Sequence, residues 1–131
     1  MDHKRVTCAV MIRNGRVLLA RRSPGQKNAG LWEFPGGKLE QGESIEECLI
    51  RELKEELNVE ATVGKHIMDT VYSYPENEFK LCVFFVTIPD DAKIQLNIHQ
   101  NSAWVSTKEM NKYKFPPADE AIIKKLQEIA I

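Results

Sequence analysis

The chain has 131 residues, 43% apolar and 28% charged, with a formal net charge of -1. That suffices for one cored domain over residues 1–131 and is too little for two typical ones. The balanced charge offers no broad basic field for polymeric nucleic acid, because pairs such as Arg21-Arg22 and Lys124-Lys125 are too short to make a binding stripe.

In chain order, Val6 to Ile12 and Arg16 to Arg22 are apolar, partly β-branched runs joined by Asn14-Gly15, which predicts an antiparallel hairpin. Gly25 to Gly30 reads as loop, Leu31 to Phe34 as a short strand, and Pro35-Gly36-Gly37 as a turn that lets backbone approach a ligand. Ser44 followed by Glu47 predicts a capping box, with a helix starting at Ile45. Ile45, Leu49, Leu53 and Leu57 recur every four residues and give that helix an apolar stripe.

Beyond it, Ala61 to Tyr74 and Phe79 to Ile88 read as strands around a loop at Pro75-Glu76-Asn77, and Ala103 to Ser106 as a further short strand. Pro117 suits a first helical turn, with Ala118, Ala121, Ile122, Leu126 and Ile129 as the apolar face of a closing helix. The class is α/β, a mixed sheet with helices packed on it.

Cys8, Cys48 and Cys82 are odd in number, lie in apolar contexts and lack Cys-x-x-Cys spacing, which predicts buried thiols of a cytoplasmic protein. The N-terminal residues show no apolar signal core, and no apolar run is long enough to span a bilayer, so neither export nor a membrane partner is expected.

The chemistry concentrates between Gly37 and Val59. Glu52, Glu55 and Glu56 stand at i, i+3 and i+4 of the predicted helix and share one face, a like-charge patch that repels itself unless a cation neutralises it. Clustered carboxylate oxygens suit hard divalent cations, Mg²⁺ above all where phosphate oxygens complete its octahedron. A Glu-rich helix is also an ordinary solvated face, and the glutamates alone leave both readings open.

The spacing of their neighbours narrows this. Gly37, five residues, Glu43, seven residues, then Arg51-Glu52-Leu53-Lys54-Glu55-Glu56-Leu57-Asn58-Val59 resembles the signature of the Nudix hydrolases at every defined position except Asn58, where the family has glycine. Asn is the next residue best able to adopt the left-handed conformation of such a helix end. Leu31-Trp32-Glu33-Phe34-Pro35-Gly36-Gly37, Trp104-Val105-Ser106 and Phe115 to Glu120 resemble the MutT-type branch, so the likeness covers nearly the whole chain.

This resemblance implies a Nudix α/β/α sandwich and Mg²⁺-dependent cleavage of nucleoside triphosphates, with Mn²⁺ as a substitute cation. It implies Glu52, Glu55 and Glu56 as metal ligands with the Gly36 carbonyl and Glu43, and Glu52 or Glu56, oriented by Arg51, as the catalytic groups. Arg22, Phe34, Lys38 and Asp119 are the implied substrate contacts. Some relatives carry a glutamate in the loop before the strand of Trp104; here Ile98 stands at that place with His99 beside it. His99 is a candidate base because imidazole titrates near neutrality, although a loop histidine with no visible partner is ordinarily exposed.

The resemblance implies that Asp119 contacts the nucleobase; an Asp at a helix start is also favoured by the macrodipole alone. If ionised it only accepts hydrogen bonds, which suits the cytosine amino group of CTP, dCTP or a modified cytosine; if protonated it donates, which leaves 8-oxo-dGTP open. Tyr72, Tyr74 and Phe79 are candidates to stack on a base or to be core. A non-catalytic binding module on the same fold, and hydrolysis of ADP-ribose or dinucleoside polyphosphates, are the rival functions.

Overall fold

The predicted hairpin is formed by β1 (Lys4–Arg13) and β2 (Arg16–Arg22). Asn14 and Gly15 both take positive φ, 52° and 74°, as a type I′ turn requires. The structure, a computed structural model, describes residues 4–73 and 77–129; Tyr74 lies outside the described residues. The remaining elements are β3 (Trp32–Glu33), α1 (Ile45–Leu57), β4 (Thr62–Ser73), β5 (Glu78–Thr87), β6 (His99–Val105), 3₁₀ segments at Thr107–Lys112 and Pro117–Asp119, and α2 (Glu120–Glu128).

Pairing between β1 and β2 stops at Ile12–Val17. From there the two strands splay apart. β1 runs parallel to β5 from Lys4–Phe79 to Met11–Val86, and β4 covers the other edge of β5. β2 pairs antiparallel with β3 and β6. The splay leaves N–H groups of β1 without a neighbouring strand, and the chain from Pro35 to Leu39 supplies their partners. Ala9 N–H donates to the Pro35 carbonyl at 2.8 Å and Thr7 N–H to that of Gly37 at 2.8 Å. This satisfies backbone groups that would be costly to bury unpaired, and it carries the glycine turn into the middle of the fold.

Alternation along the strands feeds two cores. Cys8, Val10, Val17 and Leu19 pack with Met110, Ile122 and Leu126 on the α2 side. Ala9, Met11 and Leu18 pack with Leu49, Leu53 and Leu57 on the α1 side. Each fully buried leucine of α1 stabilises the fold by roughly 2–3 kcal/mol. The expected α/β/α sandwich is therefore observed, and Cys8, Cys48 and Cys82 are buried free thiols.

Two boundaries differ from expectation. β6 begins at His99 rather than Ala103; its first residues are polar, and pairing with β2, not intrinsic propensity, makes them a strand. The closing helix begins at Glu120, because Pro117–Asp119 forms a tighter 3₁₀ turn, and Ile129 is its C-cap rather than part of its face.

Candidate active site

Local rules place α1. Ser44 Oγ accepts from Glu47 N–H at 3.1 Å while Glu47 Oε1 accepts from Ser44 N–H at 3.0 Å, the expected capping box. Asn58 ends the helix in the left-handed conformation, φ 56° and ψ 43°, with its N–H donating to the Lys54 carbonyl. With Leu49, Leu53 and Leu57 turned to the sheet, the carboxylates are set by helical spacing. Glu52 and Glu56 turn to the cleft that lies along the splay between β1 and β2, and both line it. Glu55 turns outward, with its side chain 61% exposed.

The glycine turn lies against Glu52. A Cβ on Gly37 would stand 2.3 Å from the Glu52 Cδ, so the carboxyl group occupies the space that only glycine leaves. Gly36 has φ +151°, and a Cβ there would lie 2.0 Å from the Thr7 carbonyl oxygen. The pair of glycines therefore has two separate causes, one a side chain of the site and the other the backbone of β1.

Arg51 ties the acidic residues together. Its Nε and Nη2 hold the two oxygens of Glu43 at 2.7 and 3.0 Å. Nη1 donates to Glu52 at 2.9 Å and to Glu55 at 3.4 Å. The two parallel bonds fix the Glu43 carboxylate in orientation, and the guanidinium holds its carboxyl down at about 2. Arg51 thus contacts Glu43, Glu52 and Glu55 at once.

Deeper in the cleft, Glu33 links two groups. Arg22 Nη1 donates to Glu33 Oε1 at 2.7 Å, and His99 Nε2 lies 2.7 Å from Glu33 Oε2. His99 Nε2 also stands 3.8 Å from Glu56 Oε1. The expectation that His99 is an exposed loop residue is overturned: its side chain is fully buried. A bulge in the β2–β6 ladder is the cause. Arg21 faces Asn101 but Arg22 faces His99, so one residue is skipped and His99 is turned inward beside Arg22. The chain before it is strapped to α1, with Asn97 N–H donating to the Glu56 carbonyl at 3.0 Å and Asn97 Nδ2 to the Glu55 carbonyl at 2.7 Å. Ile98 is exposed at the rim of the cleft.

Glu56 is buried, and among the described residues its Oε1 has no hydrogen-bond partner. Burial first, and then the adjoining Glu52 carboxyl, push its pKa far up. A buried carboxylate beside like charges needs a proton or a cation. Hard oxygen donors, one of them unpartnered, fit Mg²⁺.

The cleft holds about 440 Å³. It brings together Glu52, Glu56, Gly36, Lys38, Arg22 and Asp119. Lys38 Nζ lies 6.0 Å from the Phe79 ring centre. Phe34 is buried, stacks on Phe115 at 5.6 Å and lines the cleft. Asp119 stands at the N-cap of α2, buried, and its side chain makes no capping bond to the helix. Burial, then the charge of Glu33, raise its pKa to about 7. Glu55 and Glu43 stay on the Arg51 side, outside the cleft lining. Glu33 was not singled out in the sequence; its one signal was an acidic residue inside an otherwise apolar short strand.

A sheet between helical layers, with carboxylates of one helix under a glycine turn, is the frame of a cation-assisted hydrolase. The family described as NUDIX domain matches residues 1–126, and the chain belongs to the Nudix hydrolases. It is 40% identical over 115 residues to a CTP pyrophosphohydrolase of Escherichia coli K12, covering 87% of this chain and 84% of that protein. It is 37% identical over 91 residues to an 8-oxo-dGTP diphosphatase of Proteus vulgaris, covering 66% of this chain and 80% of that one. The solution structure of the E. coli ORF135 protein superposes with a TM-score of 0.85 at 36% identity, covering 98% of this chain and 91% of that one. No helix among the described residues is long and apolar enough to cross a membrane.

Proposed function

We propose that this Nudix hydrolase, of the MutT type, converts a nucleoside triphosphate and water to the nucleoside monophosphate and diphosphate, with Mg²⁺ as its cation and a cytidine nucleotide as preferred substrate. The observation that carries the reading is the buried, unpartnered Oε1 of Glu56, in one cleft with Glu52 and Asp119. Glu52, Glu56 and the Gly36 carbonyl would hold the cation, with Glu55 and Glu43 as outer partners. A Mg²⁺ ion held there would supply neutralisation of charge developing on phosphate oxygens and a lowered pKa for water.

The chain's own residues do the rest. Arg51 fixes Glu43 and Glu52 in orientation, and Lys38 reaches toward the phosphates as a point charge. Glu52 or Glu56, as carboxylate, accepts the proton of the attacking water. At the far end Asp119 accepts from the cytosine N4 amino group, with Arg22 and Phe34 beside it. Support for cytosine comes from the 40% identical relative named for CTP. The Asp119 carboxyl, with its pKa near about 7, also favours a second reading. In the protonated form it donates, which suits 8-oxo-dGTP.

The test is pyrophosphate release with Mg²⁺ across CTP, dCTP, 5-methyl-dCTP, 8-oxo-dGTP, dGTP and ADP-ribose, ranked by kcat/KM. Cytidine nucleotides should lead, and Asp119→Ala should change the ranking more than the Mg²⁺ dependence. Glu56→Gln should lower kcat by about 10²-fold or more and raise Tm, since it removes a buried like charge. Absence of turnover on every nucleotide would favour the binding-module reading.

A further inference from the structure

We infer that Glu33, Glu56 and His99 form a second cation site, one that takes a first-row transition dication of the Zn²⁺ class in preference to Mg²⁺. The inference deepens the reading of the same cleft. Its test uses no nucleotide, so its failure would leave the hydrolase reading standing.

The three residues come from three elements, β3, α1 and β6, yet their ligand atoms all lie within 4.8 Å of one another. The His99 Nε2 separations are 2.7 Å to Glu33 Oε2 and 3.8 Å to Glu56 Oε1. With metal–ligand bonds near 2.0–2.2 Å, neighbouring ligand atoms stand about 3.0–3.5 Å apart, which these separations bracket. The third separation is within 4.8 Å, so closing onto an ion requires carboxylate oxygens to shift by about 1 Å rather than strands to rearrange.

The donor set decides the metal. An imidazole nitrogen with two carboxylates suits Zn²⁺, Mn²⁺, Fe²⁺ or Co²⁺, whereas Mg²⁺ demands oxygen ligands and keeps its waters. Glu56 Oε1, the atom that also supports the Mg²⁺ reading, is aimed here: it is buried, has no hydrogen-bond partner among the described residues, and lies on the His99 side of its helix. Glu33 is already oriented, because Arg22 occupies Oε1 and leaves Oε2 to His99. That is how outer partners commonly prepare a metal-binding carboxylate. His99 Nδ1 has no partner among the described residues, so the ring is anchored through Nε2 alone. Binding needs the Nε2 lone pair, so the neutral ring carries its hydrogen on Nδ1 once the cation is bound, and a proton held between Nε2 and Glu33 is released to water.

Metal-free protein titrated with Co²⁺ in the presence of Mg²⁺, which fills the oxygen site, should bind one equivalent with visible ligand-field absorption. An equimolar amount of Zn²⁺ should displace it, and a hundredfold excess of Mg²⁺ should not. His99→Gln and Glu33→Gln should each weaken Co²⁺ binding at least tenfold. His66→Gln should not, although His66 pairs with Asp69 at the same 2.7 Å on the exposed surface. Should the buried variants fail to fold, ring-proton NMR of the unsubstituted protein decides: Co²⁺ should broaden the His99 ring signals and spare those of His66. Displacement of Co²⁺ by Mg²⁺, loss of binding in His66→Gln, or an unperturbed His99 ring would overturn the site.

Discussion

Replacing Gly37 by alanine should separate catalysis from folding. The added Cβ would stand 2.3 Å from the Glu52 Cδ and 2.5 and 2.6 Å from its oxygens, against an ordinary contact of 3.4 Å or more. The carboxyl must retreat by about 1 Å, and a misplacement of that size in a reacting constellation costs on the order of 10² in rate, or about 2.7 kcal/mol of barrier. Gly37 is outside the left-handed region, and Glu52 can swing on its own torsions. The cost to stability is thus confined to a partly buried contact with Arg51, on the order of 1 kcal/mol. Gly36→Ala should do the reverse. Its Cβ meets the Thr7 carbonyl of β1 at 2.0 Å in a backbone conformation with φ +151°, and neither can yield as a side chain does. A loss of about 3 kcal/mol or more is expected, lowering Tm by roughly 10 °C. The assay is kcat from pyrophosphate release alongside a thermal melt of each variant. Normal kcat in Gly37→Ala, or an unchanged Tm in Gly36→Ala, would refute the assignment of the two glycines.

Three further outcomes follow from the same geometry. The Arg51 guanidinium depresses the Glu43 carboxyl from 4.5 to about 2, so that pair stabilises the fold above the unfolded pKa and is lost as pH falls through this window. Tm measured across it should drop less steeply in Arg51→Ala than in the unsubstituted protein, and equal slopes would count against the pair. Asp119, raised from 3.8 to about 7 by burial and then Glu33, destabilises the fold as pH rises over that range. Asp119→Asn should therefore be the more stable protein at pH near about 8, by at most about 4 kcal/mol, with the gap closing toward about pH 4; denaturant melts at both pH values check it. Asn58→Ala should cost about 1 kcal/mol, because alanine keeps the Cβ in the left-handed conformation but lacks the polar side chain that eases it, whereas Asn58→Gly should stay within about 0.5 kcal/mol, both read from urea midpoints.

Features carried by local chemistry were readable in the sequence. The Asn14-Gly15 turn, the Ser44–Glu47 box and the Asn58 C-cap each involve residues within a few positions of one another, and all three form as expected. Arg51 could be tied to the glutamates because helical spacing and the Glu43 segment bring them to one side. The misplaced features depend on tertiary pairing. His99 looked like a loop residue because nothing near it in the chain is a partner; Glu33 and Glu56 lie far away in sequence, and the bulge that turns the ring inward belongs to the pairing with β2. Shared helical spacing also overstated the grouping of Glu55 with Glu52 and Glu56, since Glu55 turns outward toward Arg51.

The end of pairing between β1 and β2 connects these observations. Opening that edge makes the cleft, and the same unpaired N–H groups of β1 then fix the Pro35–Gly37 carbonyls that lay the glycine turn against Glu52. Sheet closure and site assembly therefore use the same hydrogen bonds. Glu33 completes the coupling on the β2 side, with one oxygen held by Arg22 and the other facing His99. Its charge raises the carboxyls of both Glu56 and Asp119. The Glu52–Glu56 end and the Asp119 end of the cleft consequently share one source of negative charge, and neutralising Glu33 should ease ionisation at both ends at once while leaving the Arg51–Glu43 pair untouched.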